Sequence, residues 1–361
     1  MTDKVYITDC EGPLTLNDNA FEMCSNFIKD GHELYKILSS YDDYLVEIEK
    51  RQDYHVGGTL AFITPFLKAA NITNQDLIDY SKENINAVSG IENVFFISNN
   101  FIDSYIVSTS YSQYISALCD KYDFPFENTY KTNVDLDEYD ISSEEKEKLE
   151  EFRIKILECK SLIDFRDNLD SKQLKEDLKT LNDIFFNQIK ELDSFKIMDK
   201  INPVGGTEKE NSVKVILSKY DIDLSKVIYV GDSITDLEPL RYVKENGGLA
   251  VSFNGNKYAV ENANIAIVAD DAIAFAVILD LFGRLGKYYT LGFIDQYEFF
   301  PEGIYEGFRI SHKFLDYYKE KYEGKDYPII AKITDENREE LIKKSVEMRH
   351  KIRDEDVASI M

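Results

Sequence analysis

Two short acidic segments carry the residues in this chain best suited to chemistry. The first is Asp9-Cys10-Glu11-Gly12-Pro13, reached from the β-branched and aromatic run Lys4-Val5-Tyr6-Ile7-Thr8. Carboxylates at i and i+2, followed by Gly and Pro, sit on one side of a tight bend just beyond a strand. One such carboxylate can attack phosphorus while the other protonates the leaving oxygen and then activates water. The second segment is Gly231-Asp232-Ser233-Ile234-Thr235-Asp236, which follows the apolar run Val227-Ile228-Tyr229-Val230. Carboxylates grouped where a parallel sheet ends suit a hard divalent cation such as Mg²⁺, which takes oxygen ligands and shares them with substrate phosphates. Read singly, this turn also fits a solvated loop or a helix N-cap.

Two further segments fall between these. Ser108 closes the run Tyr105-Ile106-Val107 and precedes an amphipathic stretch from Tyr111 to Tyr122. An alternative hydroxyl is Ser98, after Val94-Phe95-Phe96-Ile97. Lys209 lies in Gly206-Thr207-Glu208-Lys209-Glu210-Asn211-Ser212. In this order and with these residue types, Asp9 and Glu11, then Ser108, then Lys209, then Asp232 and Asp236 resemble the four motifs of the haloacid dehalogenase superfamily.

The resemblance implies a doubly wound, Rossmann-like, mostly parallel α/β sheet with an α-helical cap and a helical insert. It implies that Asp9 is nucleophile and Mg²⁺ ligand, that Glu11 is the proton donor and lends its backbone carbonyl to the metal, and that Asp232 completes the ligand set. Asp236 then acts on the metal through water or orients Lys209. Ser108, the backbone N–H of Thr109 and Lys209 bind phosphate at a helix N-terminus. The implied activity is Mg²⁺-dependent hydrolysis of a small phosphomonoester through an aspartyl phosphate, most similar to the phosphoserine phosphatase-like branch. Glu11 departs from the Asp usual in phosphatases of this superfamily. Its arm is longer by about 1.5 Å, and a misplacement of about 1 Å can cost on the order of a hundredfold in rate. The long inserts, the tail and Glu11 are also similar to the branch labelled energy-converting hydrogenase A subunit R, which implies the alternative of a catalytically weak phosphate-binding or regulatory subunit of a larger complex.

The elements that must position these residues can be outlined from pattern. Core segments are expected at 1–15, 93–129 and 203–283, each holding one or two of the motifs. Residues 16–92 far exceed the ~2–6 residues of an ordinary α/β loop, and Ala20 to Ile28, His32 to Glu49 and Leu60 to Ala70 have helical periodicity, so a helical cap is expected there. Arg51, Tyr54 and His55, just before Gly57-Gly58, are its candidate substrate contacts. Residues 130–202 form a second helical insert, with two amphipathic helices expected between Ser142 and Leu192. The extension 284–361 lies outside a minimal core and is a candidate for docking on the cap, bridging a dimer or binding another protein.

With 361 residues and 43% hydrophobic content the chain can bury a large core. Its 42 Lys and Arg against 67 Asp and Glu leave a net charge of −25, which argues against a nucleic-acid surface, since no basic cluster relieves the repulsion of a phosphate backbone. The four cysteines Cys10, Cys24, Cys119 and Cys159 show no CxxC spacing, as in a reducing compartment. Asp3, Lys4 and Asp9 interrupt any apolar N-terminal stretch. The most apolar run, Ala272 to Phe282, is about half the ~20 residues of a membrane span and reads as a buried helix. A cytoplasmic location is therefore expected, while a small phosphorylated metabolite as substrate is what the resemblance implies.

Overall fold

The computed structural model describes residues 3–52, 54, 56–220, 222–305 and 308–353. One sheet is built from β1 (Val5–Thr8), β2 (Asp103–Tyr111), β3 (Thr129–Thr132), β4 (Val227–Gly231), β5 (Leu249–Phe253), β6 (Ile265–Val268) and β7 (Ile329–Lys332). The order across it is β3-β2-β1-β4-β5-β6-β7. The first six strands pair in parallel and β7 runs antiparallel to β6, with Ala266 opposite Ala331.

Helices cover both faces of this sheet, so its strands have no polar side to alternate. That is why β1, β4, β5 and β6 read as continuous apolar runs, and every residue in them is buried. Tyr6, Ile228 and Val230 face helices Glu92–Asn100, Ser112–Tyr122 and Ile273–Leu285. Val5, Ile7 and Tyr229 face helices Thr207–Leu217, Leu237–Glu245 and Lys257–Asn262. Parallel β strands need long crossovers, and here the chain passes from β1 outward to β3, then returns to β4 on the other side of β1. The reversal between β1 and β4 opens a crevice beyond their carboxyl ends, where ligands bind in folds of this type.

Local register sets which residues meet there. Thr8 lies opposite both Val230 and Ile106, so the chain delivers Asp9, the Gly231–Asp232 turn and the Val107–Ser108 stretch side by side. Two sequence expectations are corrected at this point. Val94–Ile97 is not a strand but part of helix Glu92–Asn100, where the Ser98 hydroxyl bonds back to Val94 O at 3.0 Å, so this alternative site residue is spent inside a helix. Ser108 does not sit at a helix N-terminus: β2 continues through it to Tyr111 with an irregular register against β3, and the helix starts at Ser112.

The segments inserted between core elements form one helical body. Helices Asn19–Phe27, Gly31–Glu47, Thr59–Ala69 and Asn74–Glu83 come from the stretch before β2. Helices Ser143–Glu158 and Lys172–Asp183 come from the stretch after β3 and share a single apolar core with the first group. Side chains start several of these helices: Asp18 accepts from Phe21 N, Ser142 from Glu145 N, and Thr73 with Asp76 makes a capping box. Phe185 is the hub, with ring centroids 4.4 Å from Phe62, 6.2 Å from Tyr41 and 6.4 Å from Phe66. Arg153 ties the two groups from outside the core, donating to Lys29 O and to Asp30. The chain after residue 284 is not an appendage: it adds β7 to the sheet edge and lays helix Arg338–Ile352 against β6. Among the described residues no helix is long and apolar enough to cross a membrane, and all four cysteines are free and buried.

Because Phe185 joins apolar residues of both inserted segments, Phe185→Ala is expected to lower stability to chemical denaturation by about 3–5 kcal/mol. Phe299→Ala, at a ring that is 90% exposed, should stay within about 0.5 kcal/mol of the unmodified protein. Equal effects of the two changes would show that the inserted segments do not share a stabilising core.

Candidate functional site

Asp9 leaves β1 buried, its backbone N–H bonded to Val230 O at 2.9 Å. The chain then bends back on itself, with Leu14 N and Thr15 N both donating to Cys10 O. Gly12 makes this bend feasible. Its φ is +105°, and a Cβ there would lie 2.2 Å from the carboxyl carbon of Asp232. The close approach presses the first acidic turn onto the second.

Lys209 is the centre of the arrangement. Fully buried in helix Thr207–Leu217, its Nζ lies 2.6 Å from Asp9 Oδ2 and 2.8 Å from Asp236 Oδ1. Asp236 is held in turn by Tyr229 OH at 2.7 Å and by the backbone N–H groups of Asp232 and Ser233 at 3.0 and 3.3 Å. Both oxygens of Asp236 thus already accept hydrogen bonds, which suits it to orient Lys209. Oxygen atoms of Asp9, Asp232 and Asp236 all lie within 4.8 Å of one another. Asp232 Oδ1 is buried with no hydrogen-bond partner among the described residues. An orphaned carboxylate oxygen inside a closely spaced all-oxygen set fits a hard cation, which Asp9 and Asp232 are near enough to share.

Burial governs the electrostatics. Loss of hydration raises the Asp9 carboxyl above the usual range, opposed by Lys209 and reinforced by Asp236 and Asp232. Burial would lower the Lys209 ammonium, but Asp236 and Asp9 carry it above its ordinary value and keep it charged. Asp232 is likewise raised by burial, against the pull of Arg349 and Arg353. Glu11 is raised by burial and then by the Asp18 carboxylate. The Glu11 side chain reaches the helical body, where Oε1 accepts from Asn19 N at 2.7 Å, the first residue of helix Asn19–Phe27.

Asp9 and Glu11 open onto a cavity of about 220 Å³ between the sheet and the helical body. Asp9, Glu11, Ser108 and Thr109 line its floor. Ser108 shares a hydroxyl contact of 3.0 Å with Ser110, and Thr109 Oγ1 donates to Val204 O, on the approach to Lys209. Gly57, with φ +95°, lets the helical body close down here, since a Cβ would stand 2.9 Å from Thr109 Cγ2. Asp42, Asp43, Glu47 and Arg166 form the roof. Glu47 Oε1 accepts from Arg166 Nη2 at 2.8 Å and from Tyr258 OH at 2.9 Å, so one carboxylate joins both inserted segments to the core.

Asp9, Glu11, Ser108, Thr109, Lys209, Asp232 and Asp236 are therefore brought together. The expected cap contacts are not. Arg51 does not line the cavity: it is paired with Glu49, bonded to Asn182 and stacked over Phe186 at 3.9 Å. Tyr54 braces the roof from behind, donating to Asp42 Oδ1 at 2.7 Å while Asp42 Oδ2 takes Gly57 N and Thr59 N. His55 lies outside the described residues. The polar roof groups Asp43, Glu47 and Arg166 escaped the sequence reading; the i,i+4 spacing of Asp43 and Glu47 was the available signal. Arg349 and Arg353, which reach Asp232 from the last described helix, carried no signal beyond a charged helical pattern.

Comparison with known proteins is consistent with this geometry. No curated protein matches the chain. A structure of a gene product from Archaeoglobus fulgidus is similar along nearly the whole length, with 25% identity, a TM-score of 0.74, and 97% of this chain and 96% of that chain covered. A phospho-aspartyl intermediate analogue of a phosphoserine phosphatase matches with 14% identity, a TM-score of 0.46, and 75% of this chain and 96% of that chain covered. The family model for haloacid dehalogenase-like hydrolase matches residues 66–276, a span that holds Ser108, Lys209, Asp232 and Asp236 and more than half of the chain. The chain belongs to the haloacid dehalogenase-like hydrolases.

Proposed function

We propose that the protein hydrolyses a small phosphomonoester, with Mg²⁺ as cofactor and Asp9 as the nucleophile. The observation that carries this reading is the Lys209 ammonium held between Asp9 and Asp236, with Asp9 itself lining a cavity whose wall includes Glu11 and Ser108. A transferring phosphoryl group carries spread negative charge, and its catalysis consists mainly of positioning and charge stabilisation. Lys209 supplies a fixed positive charge and holds Asp9 in place; the Ser108 hydroxyl offers a donor to a phosphate oxygen. Mg²⁺, held by Asp9 and Asp232, supplies further neutralisation of phosphate charge when bound.

The chemistry then takes two steps. An Asp9 oxygen attacks phosphorus, the bond from phosphorus to the ester oxygen breaks, and Glu11 gives its proton to that oxygen. Glu11 next takes a proton from water, the water oxygen attacks phosphorus, and the Asp9–phosphorus bond breaks to release phosphate and restore both carboxyls. The Asn19 N–H fixes Glu11 Oε1 and so aims the longer Glu arm. That bond also makes the position of the proton donor depend on the helical body. The roof supports a substrate of metabolite size, because Glu47, Arg166 and Tyr258 close the cavity from three parts of the chain.

Two outcomes follow from this mechanism. Phosphate release from a panel of small phosphomonoesters should require Mg²⁺, stop on chelation, and fall by at least about a thousandfold in Asp9→Asn. Turnover surviving in Asp9→Asn at the wild-type rate would remove Asp9 as nucleophile. For Glu11→Gln, kcat should fall by about 10²–10⁴-fold, the range for loss of a general acid and base, with the melting temperature nearly unchanged. An undiminished kcat in that variant would assign proton transfer to another group.

A further inference from the structure

The turn that carries Asp232 is held from a part of the chain remote in sequence. Helix Arg338–Ile352 places Arg349, 2% exposed, with Nη1 2.9 Å from Asp232 Oδ2. The same nitrogen donates to the backbone carbonyls of Asp232 at 3.1 Å and Asn254 at 3.4 Å, so one guanidinium ties the turn after β4 to the turn after β5. The two oxygens of Asp232 thereby differ in their surroundings. Oδ2 meets the guanidinium, while Oδ1 is buried with no hydrogen-bond partner among the described residues. Arg353 stands farther from Oδ2, at 3.6 Å, and its charge also acts on the Asp18 carboxylate, so Arg349 is the side chain that fixes this turn.

The last torsion of an aspartate is broad, so a carboxylate with neither oxygen held presents either one over a wide arc. A partner that holds one oxygen fixes the other for a ligand, and losing such an outer partner costs on the order of 10–100-fold in metal affinity. Arg349 stands in that relation to Asp232. It does not take the place of a cation, because Asp9 and Asp236 share Lys209, and with Arg349 included these three carboxylates still outnumber the two cations that hold them. Resting on the metal-assisted phosphatase reading above, we propose that Arg349 is a positioning residue for the metal. By engaging Oδ2 it leaves Oδ1 of Asp232 as the oxygen that takes Mg²⁺, and the extension after residue 284 becomes part of the metal centre. Linkage makes the effect mutual: if docking of helix Arg338–Ile352 strengthens cation binding, a bound cation strengthens docking of that helix by the same factor.

Calorimetric titration of the resting protein with Mg²⁺ tests this without turnover. Arg349→Met, which keeps much of the side chain's bulk and removes its donors, should bind Mg²⁺ about 10–100-fold more weakly than wild type. In assays of that variant the Mg²⁺ concentration for half-maximal rate should rise by a similar factor, while kcat at saturating Mg²⁺ changes far less. A second measurement uses the wild-type protein alone and decides the matter if Arg349→Met fails to fold. Saturating Mg²⁺ should slow amide hydrogen exchange in helix Arg338–Ile352 by about tenfold or more, and by more than in helix Ser143–Glu158 of the inserted body. Mg²⁺ affinity unchanged or raised in Arg349→Met, or exchange slowed alike in the two helices, would overturn the inference and leave the phosphatase reading standing. Absence of Mg²⁺ binding to wild type, with and without inorganic phosphate, would overturn both. Mg²⁺ binding that depends on Arg349, in a protein that releases no phosphate from any ester, would uphold this inference and refute turnover.

Discussion

The contact on which the rest of the structure depends is the buried salt bridge from Lys209 to Asp9 and Asp236. Removing three charged groups from water is costly, and the cost is met only by close mutual contact and by saturating their remaining hydrogen bonds. Tyr229 OH and the turn amides of Asp232 and Ser233 do this for Asp236, and Cys10 N does it for Asp9. Those partners come from β1, β4 and the helix beginning at Thr207, so the ion pair is available only when the switch-point strands are paired in register. The sheet and the chemistry therefore share one constraint. Removing one partner of such a buried pair costs about 3–5 kcal/mol, so the same residues that equip the site also bind the core together.

A second consequence of burial is that the site needs a roof. Desolvation raises the carboxyl of Asp9, the proposed nucleophile, and exclusion of bulk water strengthens each charge interaction around it. Two segments far apart in sequence supply that roof as a single packed body around Phe185, and two hydrogen bonds and one close packing contact bring it down on the sheet. Glu47 reaches Tyr258, Glu11 reaches Asn19, and Gly57 lies against Thr109. Of these, the Glu11 contact is the one that links the position of the roof to the proposed proton donor.

How much of this was legible in the sequence follows from the range of each interaction. Asp9, Lys209 and Asp232 could be singled out because each stands just past a strand or at a helix start whose signal is local, whereas Ser108 lies within β2 and was marked only by the apolar run before it. The fold class was readable for the same reason, since strands buried on both faces announce themselves as unbroken apolar runs. Val94–Ile97 shows the limit, because a short apolar run does not distinguish a strand from one turn of a buried helix. Arg51 and Tyr54 had the right residue types near a glycine turn, yet Phe186, Asn182 and Asp42 claim them, and nothing local announces those partners. The union of the two inserts around Phe185 and the reach of Arg349 to Asp232 are contacts between residues more than a hundred positions apart, encoded only in the packed structure.

The central claim is that phosphorus becomes bonded to Asp9 during turnover. Acid quenching of the protein within the first turnover on a reactive phosphomonoester in the presence of Mg²⁺, followed by peptide mass spectrometry, tests it directly. The account predicts a phosphoryl adduct on the peptide containing Asp9, lost in Asp9→Asn. Release of phosphate with no adduct on that peptide, or an adduct on Ser108 instead, would contradict it.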